Sequence, residues 1–176
     1  RKKASLPAHP GLQYLFKDTE SSLHTLAALV ETMAPEKGPA LFMMADTIML
    51  PEDFSRFLRF CRELPENENA VLVTGFVDDE KPLWVNLNQD QTVARFGGDH
   101  GQFVTSGMYF LSPAAMLMAL EEVQKGTHKM RNFLCKLLER ELLIKSFVVS
   151  KTIDVDHPSD LENAARFLRA DEGPSS

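Results

Sequence analysis

Residues 40–46, Ala-Leu-Phe-Met-Met-Ala-Asp, decide how the chain is read. Six apolar residues follow the Gly38-Pro39 break and end in a carboxylate. The run has no polar residue at every second position, so both of its faces are to be covered. That is the pattern of a strand buried in a parallel sheet between helices. In open parallel sheets, ligands bind beyond the carboxyl ends of the strands. The Asp46 carboxylate, at that end of the run, is therefore the first candidate for chemistry. The plainer alternative is a loop Asp that begins a turn before Pro51.

Upstream, Thr19 is placed to cap a helix reaching about Met33, with Leu23, Leu26, Ala27, Val30 and Met33 at helical spacing. Leu12 to Phe16 reads as a short strand, and residues 1–10, with Pro7 and Pro10, as a leading loop. Downstream, Pro51 opens a second helix with Phe54, Phe57, Leu58, Cys61 and Leu64 on one face. Ala70 to Val77 (AVLVTGFV) is a further strong strand. This alternation predicts an α/β fold with a mixed, mainly parallel sheet flanked by helices, Rossmann-like in plan. Strands are expected at Leu83 to Leu87, Thr92 to Phe96 and Phe103 to Leu111, with a hairpin turn at Asn88 to Gln91. The Gly-rich stretch 97–101 (GGDHG) reads as a hairpin connection. Helices from Pro113 and about His128, a strand at Ile144 to Val149 and an extended Lys151 to Val155 follow, and Pro158 opens a last helix. Residues 1–176 read as one domain with a frayed tail at 171–176 (DEGPSS).

Composition narrows the function. Of 176 residues, 44% are hydrophobic, enough for a packed core. Lysine and arginine number 19 and aspartate and glutamate 25, a net charge of −6. A chain of that balance lacks the basic face of a general nucleic-acid binder. No apolar run approaches the roughly 18 residues of a membrane span. The expected partners are thus neither nucleic acid nor membrane. An anionic substrate needs a bound cation or local helix dipoles to offset repulsion. The two cysteines, Cys61 and Cys135, lie on apolar helix stripes and read as small buried hydrophobes. Their small number and the lack of a signal peptide suggest a cytoplasmic location.

A second acidic pair stands far from the first. Asp154 and Asp156 are two apart on an extended segment and so share one side. Asp156 precedes Pro158 by two residues, where helix capping is the plain alternative. Asp46 and Asp156 are 110 positions apart, yet both follow strands. If they converge to ~6 Å, their repulsion at an effective dielectric near 20 is roughly 3 kcal/mol. A divalent cation relieves it, and two carboxylates leave positions for water and phosphate oxygens, which suits Mg²⁺.

Ala45-Asp46, followed by residues 154–162 (DVDHPSDLE), resembles the sugar-phosphate and related nucleotidyltransferases. Their second metal aspartate lies in a D-[ST]-P-x-D-L-E segment; here His157 takes the Ser/Thr place. Residues 103–113 (FVTSGMYFLSP) are similar to the family's N/T-x-G-x-Y-x-F-S-P strand, and residues 20–26 (ESSLHTL) to the segment whose helix start meets the nucleotide. The resemblance spans about residues 12–170. It implies a nucleotide-diphospho-sugar transferase-like fold. It also implies transfer of a nucleotidyl group from an NTP to a phosphorylated sugar or alcohol, with release of pyrophosphate. In it Asp46 and Asp156 hold Mg²⁺, Ser21, Ser22 and Ala45 face the nucleotide, and Thr105 and Gly107 face the acceptor.

One family element has no match: an initial strand and Gly-rich loop, A-x-G-x-G-[ST]-R-[ML], that wraps the triphosphate. The expectation is that the native polypeptide extends upstream of Arg1 and supplies it. A related glycosyltransferase ranks lower, because Asp46-Thr47-Ile48 lacks the second acid of a DxD triad. The alternative of another class is a noncatalytic domain of this fold that binds a nucleotide-sugar or a protein partner.

Overall fold

The computed structural model describes residues 9–77 and 81–171. It contains helix α1 (Ser22–Thr32), strands β1 (Ala40–Met43) and β2 (Thr47–Ile48), helix α2 (Pro51–Glu63), and strands β3 (Asn69–Thr74), β4 (Trp84–Leu87), β5 (Val93–Phe96) and β6 (Phe103–Leu111). Helices α3 (Pro113–Gln124) and α4 (Met130–Glu139), strands β7 (Ile144–Val149) and β8 (Ile153–Asp154), and helix α5 (Pro158–Asp171) complete it. Of the tail expected to fray, Asp171 closes α5 and residues 172–176 lie outside the described residues, as does most of the leading loop.

Strand β6 is antiparallel to β1, β3 and β4, β3 is parallel to β7, and β5 is antiparallel to β4. Strands β1, β3, β4 and β7 therefore point one way and β5 and β6 the other. The α/β architecture and mixed sheet are as the sequence implies. The parallel character holds for strand direction; in the ladder itself, among the described residues, only β3 and β7 pair in parallel. Strand β3 is buried along its whole length. Ala70 and Leu72 face Phe57 and Cys61 of α2, while Val71 and Val73 face Leu23, Leu26 and Val30 of α1, Met116 of α3 and Phe133 of α4. Helices thus cover both faces, which is why the β3 run shows no alternation. Burial pushes the Cys61 thiol up to about 12, as befits an inert core residue.

Four local expectations change. Strand β1, whose pattern implies a buried parallel strand, pairs among the described residues only with β6, antiparallel, and Met43 is 51% exposed. Residues 12–16 belong to no strand, and Phe16 is 81% exposed. The cap of α1 is Ser21, whose hydroxyl accepts from His24 N–H, whereas the Thr19 hydroxyl bonds that of Thr25 at 2.6 Å. The stretch 97–101 is not a simple hairpin connection either. It leads from β5 to β6 on opposite sides of β4, with Gly97 N–H donating to the Trp84 carbonyl and Gln102 N–H to that of Val85. A Cβ on Gly101 would stand 3.0 Å from the Val85 carbonyl oxygen, so the crossing needs glycine. Among the described residues, no helix is long and apolar enough to cross a membrane.

The α3–α4 connector is anchored from inside the protein. Glu122, 3% exposed, accepts from the Thr127 hydroxyl at 2.8 Å and pairs with the Lys136 ammonium of α4. Hydrogen bonds from Lys136 and Thr127 hold its carboxyl below the usual range. A depressed carboxyl contributes stability above its unfolded value of about 4.3, and that contribution fades as pH falls through the lower folded value. Glu122→Gln is therefore expected to lower stability at pH 7 by about 2 kcal/mol and to flatten the loss of stability below about pH 4.3. Urea midpoints measured across the acid range check both; parallel acid profiles for the two proteins would contradict the assignment.

Gly107 interrupts β6 for a backbone reason. Between the pairs Val71–Tyr109 and Val73–Thr105, β3 advances two residues and β6 four. Gly107 lies in this bulge at φ +66°. On the other edge of β6, the partner changes from β4 to β1 across it. A Cβ there would meet Met44 Cγ at 2.9 Å and Thr47 Oγ1 at 3.1 Å. Gly107→Ala should cost about 1–2 kcal/mol for the left-handed backbone alone, and Gly107→Val more. A chemical denaturation midpoint unchanged in Gly107→Ala would remove this account.

Candidate functional site

Two acidic segments distant in sequence meet in the two-stranded β2–β8 ladder. Thr47 pairs with Asp154 and Ile48 with Ile153, and Val155 N–H donates to the Asp46 carbonyl at 3.0 Å. Continuing that register by one residue brings Ala45 level with Asp156. The Thr47 hydroxyl, buried, donates to the Asp154 carboxylate at 2.7 Å. Thr152 and Ser106 hydroxyls, 3.0 Å apart, tie the start of this segment to β6.

The turn into α5 is held by Asp160. Its carboxylate accepts from His157 N–H at 2.7 Å and from Asp156 N–H at 3.2 Å. An acid in the first helical turn thus takes up N–H groups that no helical carbonyl can reach. This gives residues 156–160 a physical meaning: Asp160 fixes the turn on which Asp156 is presented.

Asp154, Asp156, His157 and Asp160 line a cavity of about 440 Å³, together with Lys81, Thr74, Thr105 and Thr152. Asp46 does not line it; half-buried, it adjoins the segment through its backbone. Thr105 also lines a neighbouring cleft of about 290 Å³ with Ser21, Ser22, Tyr109, Lys129 and Arg131. An acidic and a basic compartment therefore meet at Thr105 on β6. The Arg131 guanidinium donates to the Lys81 carbonyl at 3.0 Å, linking the two walls. Burial raises the pKa of the Tyr109 hydroxyl; a hydrogen bond with Thr105 opposes the shift and the Asp154 charge adds to it. A third, mostly apolar cavity of about 340 Å³ is bounded by Ser22, Met44, Gly107 and Tyr109.

The sequence-derived candidates fall as follows. Ser22, Thr105 and Gly107 border the connected clefts, and Ala45 is exposed at the start of the β2 turn. Ser21 also borders the basic cleft, but its hydroxyl caps α1 and donates to the His128 carbonyl. Gly107 directs its missing Cβ at Met44 and Thr47. Lys151, at the start of the extended segment, lies with its ammonium 4.1 Å from the centre of the Phe76 ring and 5.5 Å from that of Phe167. Three cations, Lys81, Lys129 and Arg131, were not singled out. Lys129 and Arg131 had a legible signal: they stand at the N-terminus of α4 with no acid in its first turn, against the helix dipole.

The sequence matches no protein-family model and no curated protein. Solved structures do match. The inositol-1-phosphate CTP transferase from T. maritima superposes with a TM-score of 0.63 at 19% identity, over 84% of this chain and 62% of that one. A Bacillus anthracis structure assigned as a glucose-1-phosphate thymidylyltransferase, in complex with a sucrose, gives 0.71 at 13% identity, over 89% and 65%. The fold is that of the nucleotidyltransferases. CMP:2-keto-3-deoxy-manno-octonic acid synthetase complexed with CTP adds a third match, 0.62 at 20%, over 88% of this chain and 70% of that one. The resemblance drawn from residues 45–46, 103–113 and 154–162 is thus borne out at the level of fold. The chain spans less than two thirds of the length of the first two of these nucleotidyltransferases.

The Asp160 anchor carries its own test. Asp160→Ala removes the acceptor for two N–H groups and should cost about 1 kcal/mol, the usual worth of a helix cap, with Asp160→Asn retaining part of it. Thermal denaturation of the two variants checks the order; equal midpoints for all three proteins would dismiss the anchor.

Proposed function

We propose that this chain carries out, or forms the greater part of a protein that carries out, nucleotidyl transfer from an NTP to a phosphorylated sugar or alcohol. The observation that supports it most is the junction at Thr105 of a carboxylate-lined cavity with a cleft bearing Lys129 and Arg131. A metal-bridged phosphate chain needs both: carboxylate oxygens for a hard cation and fixed cations for the remaining charge.

The donor set fits Mg²⁺. Aspartate oxygens are the ligands it prefers, and a site with few protein ligands leaves room for water and phosphate. In this reading Asp46 and Asp156 hold the ion, and Asp154, tied to Thr47, keeps their two strands together. When bound, Mg²⁺ supplies charge neutralisation at the phosphates. The protein's own part is positional. Lys129 and Arg131 draw in and orient the triphosphate. Ser22, with the backbone at Ser21 and Ala45, faces the nucleoside. Thr105 stands where the acceptor and nucleotide sides meet, close to Gly107. The acceptor's phosphate oxygen attacks the α-phosphorus in line, the bond to the β-phosphate bridge breaks, and pyrophosphate leaves. The outer edge of β1 has no ladder partner among the described residues. We assign that edge to a strand bearing a Gly-rich phosphate loop of the kind the resemblance implies.

The related glycosyltransferase reading is weaker here for a structural reason. The position its second acid would take is Ile48, half-buried and paired with Ile153 of β8. Calorimetry with a panel of NTPs, with and without Mg²⁺, tests the proposal. Nucleotide affinity should rise with Mg²⁺ and lose that dependence in Asp46→Asn and in Asp156→Asn. Lys129→Ala with Arg131→Ala should weaken NTP binding at least about tenfold, as loss of two charge-assisted contacts requires. Mg²⁺ dependence intact in both aspartate variants would refute the metal pair. Binding without pyrophosphate release, with phosphorylated sugars and alcohols supplied, would reduce the protein to a binding domain.

A further inference from the structure

Outside the proposed Mg²⁺ pair, the structure gathers a different donor set. Glu20, His24 and His128 bring a carboxylate oxygen and two imidazole nitrogens within 4.8 Å of one another. Glu20 Oε2 lies 3.4 Å from His128 Nδ1 and 3.9 Å from His24 Nε2. The two rings are tilted at 42° with centroids 5.2 Å apart. Glu20 and His24 come from the start of α1, four residues apart, and His128 from the α3–α4 connector, 104 residues further on.

The surrounding hydrogen bonds decide which nitrogen of His24 is available. The Ser21 hydroxyl has one proton, and it donates it to the His128 carbonyl. Towards His24 Nδ1, 2.9 Å away, the same oxygen must then accept. Nδ1 therefore carries a hydrogen, and the lone pair of the neutral ring sits on Nε2, facing Glu20 and His128. An imidazole whose other nitrogen donates to a protein oxygen is the arrangement found at metal-ligating histidines. Without a positive charge between them, the Nε2 lone pair and the Glu20 carboxylate face each other as two acceptors.

We propose that Glu20, His24 and His128 form a site for a borderline divalent transition ion of the Zn²⁺ class. Two imidazoles and one carboxylate suit Zn²⁺ better than Mg²⁺, which takes oxygen ligands. Tetrahedral geometry with bonds of about 2.0 Å puts ligand atoms roughly 3.3 Å apart. The Glu20–His128 distance is already there, and small rotations of Glu20 and His128, which are 73% and 61% exposed, close the rest. His24, only 19% exposed, is the fixed member. Three protein ligands leave a fourth position for water or for an anionic oxygen. The ion would pin the start of α1 to the connector that leads into α4, whose N-terminal end bears Lys129 and Arg131. Glu122 and Thr127 already hold that connector from the other side.

The test is a Zn²⁺ titration of the metal-stripped full chain in excess Mg²⁺, followed by calorimetry, with Co²⁺ absorption as a second readout. One equivalent should bind, Co²⁺ should give the intense visible bands of a tetrahedral site, and binding should raise the melting temperature. His128→Ala and Glu20→Gln, both at exposed positions, should each weaken Zn²⁺ at least about tenfold and abolish the Co²⁺ bands, while Asp156→Asn should retain them. Absence of Zn²⁺ binding to the folded chain would overturn the proposal. So would binding that survives unchanged in His128→Ala and Glu20→Gln, or binding that is lost in Asp156→Asn. None of these outcomes depends on nucleotide binding.

Discussion

Strand β6 must serve two partners along one edge, and the rest of the molecule is arranged around that constraint. Nine residues at about 3.3 Å each make a strand longer than either β1 or β4, which have four residues apiece. The two shorter strands point the same way, so both can be antiparallel to β6 at different heights. The handover falls at Gly107, where the bulge opposite β3 and the left-handed backbone turn the strand. Because Gly107 has no side chain, Met44 and Thr47 close onto its backbone. That approach sets where β2 begins. It also determines the height at which β8 can pair with β2, and hence that Asp46 lies beside the Asp154–Asp156 segment.

How much of this can be read from residues alone depends on what a residue pattern reports. Covered faces are legible: β3 is apolar from Ala70 to Val73 and has helices on both sides. Helix starts are legible where proline marks them, at Pro51, Pro113 and Pro158. Direction and neighbour are not, because a strand's side-chain pattern is the same whichever way its partner runs. The run from Ala40 to Ala45 illustrates this. It is as apolar as β3, yet Met43, Met44 and Ala45 are exposed, and its one ladder partner among the described residues is antiparallel. The Gly97–Gly101 stretch signals a turn correctly, but glycine content does not say that the chain passes over β4.

The site divides along the same line. Asp154 and Asp156 are legible because spacing on an extended segment settles which residues share a side. That the Asp46 backbone adjoins their segment depends on a ladder between stretches more than a hundred residues apart, which residue spacing does not report. Ser21 is the instructive case. Its place at a helix start is consistent with both capping and ligand contact, and the structure commits its hydroxyl to the cap and to the His128 carbonyl. Glu20 and His24 beside it carry no comparable signal, because their third partner, His128, lies across the fold. A three-residue donor set drawn from two distant segments leaves no spacing signature.

The net charge of −6 disfavours an anionic ligand over the molecule as a whole, yet the relevant field is local. At physiological ionic strength, exposed charges beyond about 8 Å are largely screened. A ligand in the basic cleft therefore responds chiefly to Lys129, Arg131 and the N-terminal end of α4. The helix end and the two cations have the same sign. Held there without a ligand they repel, at a cost of the order of 0.3–1 kcal/mol each. An anion reverses that sign and turns both the cations and the helix dipole into favourable terms. The carboxylate-lined cavity beyond Thr105 presents the opposite arrangement, negative charges crowded with Lys81 at their margin. Each compartment is electrostatically uncomfortable when empty and is relieved by a partner of opposite charge. A phosphate chain bridged to a divalent cation, the ligand proposed above, would relieve both at once.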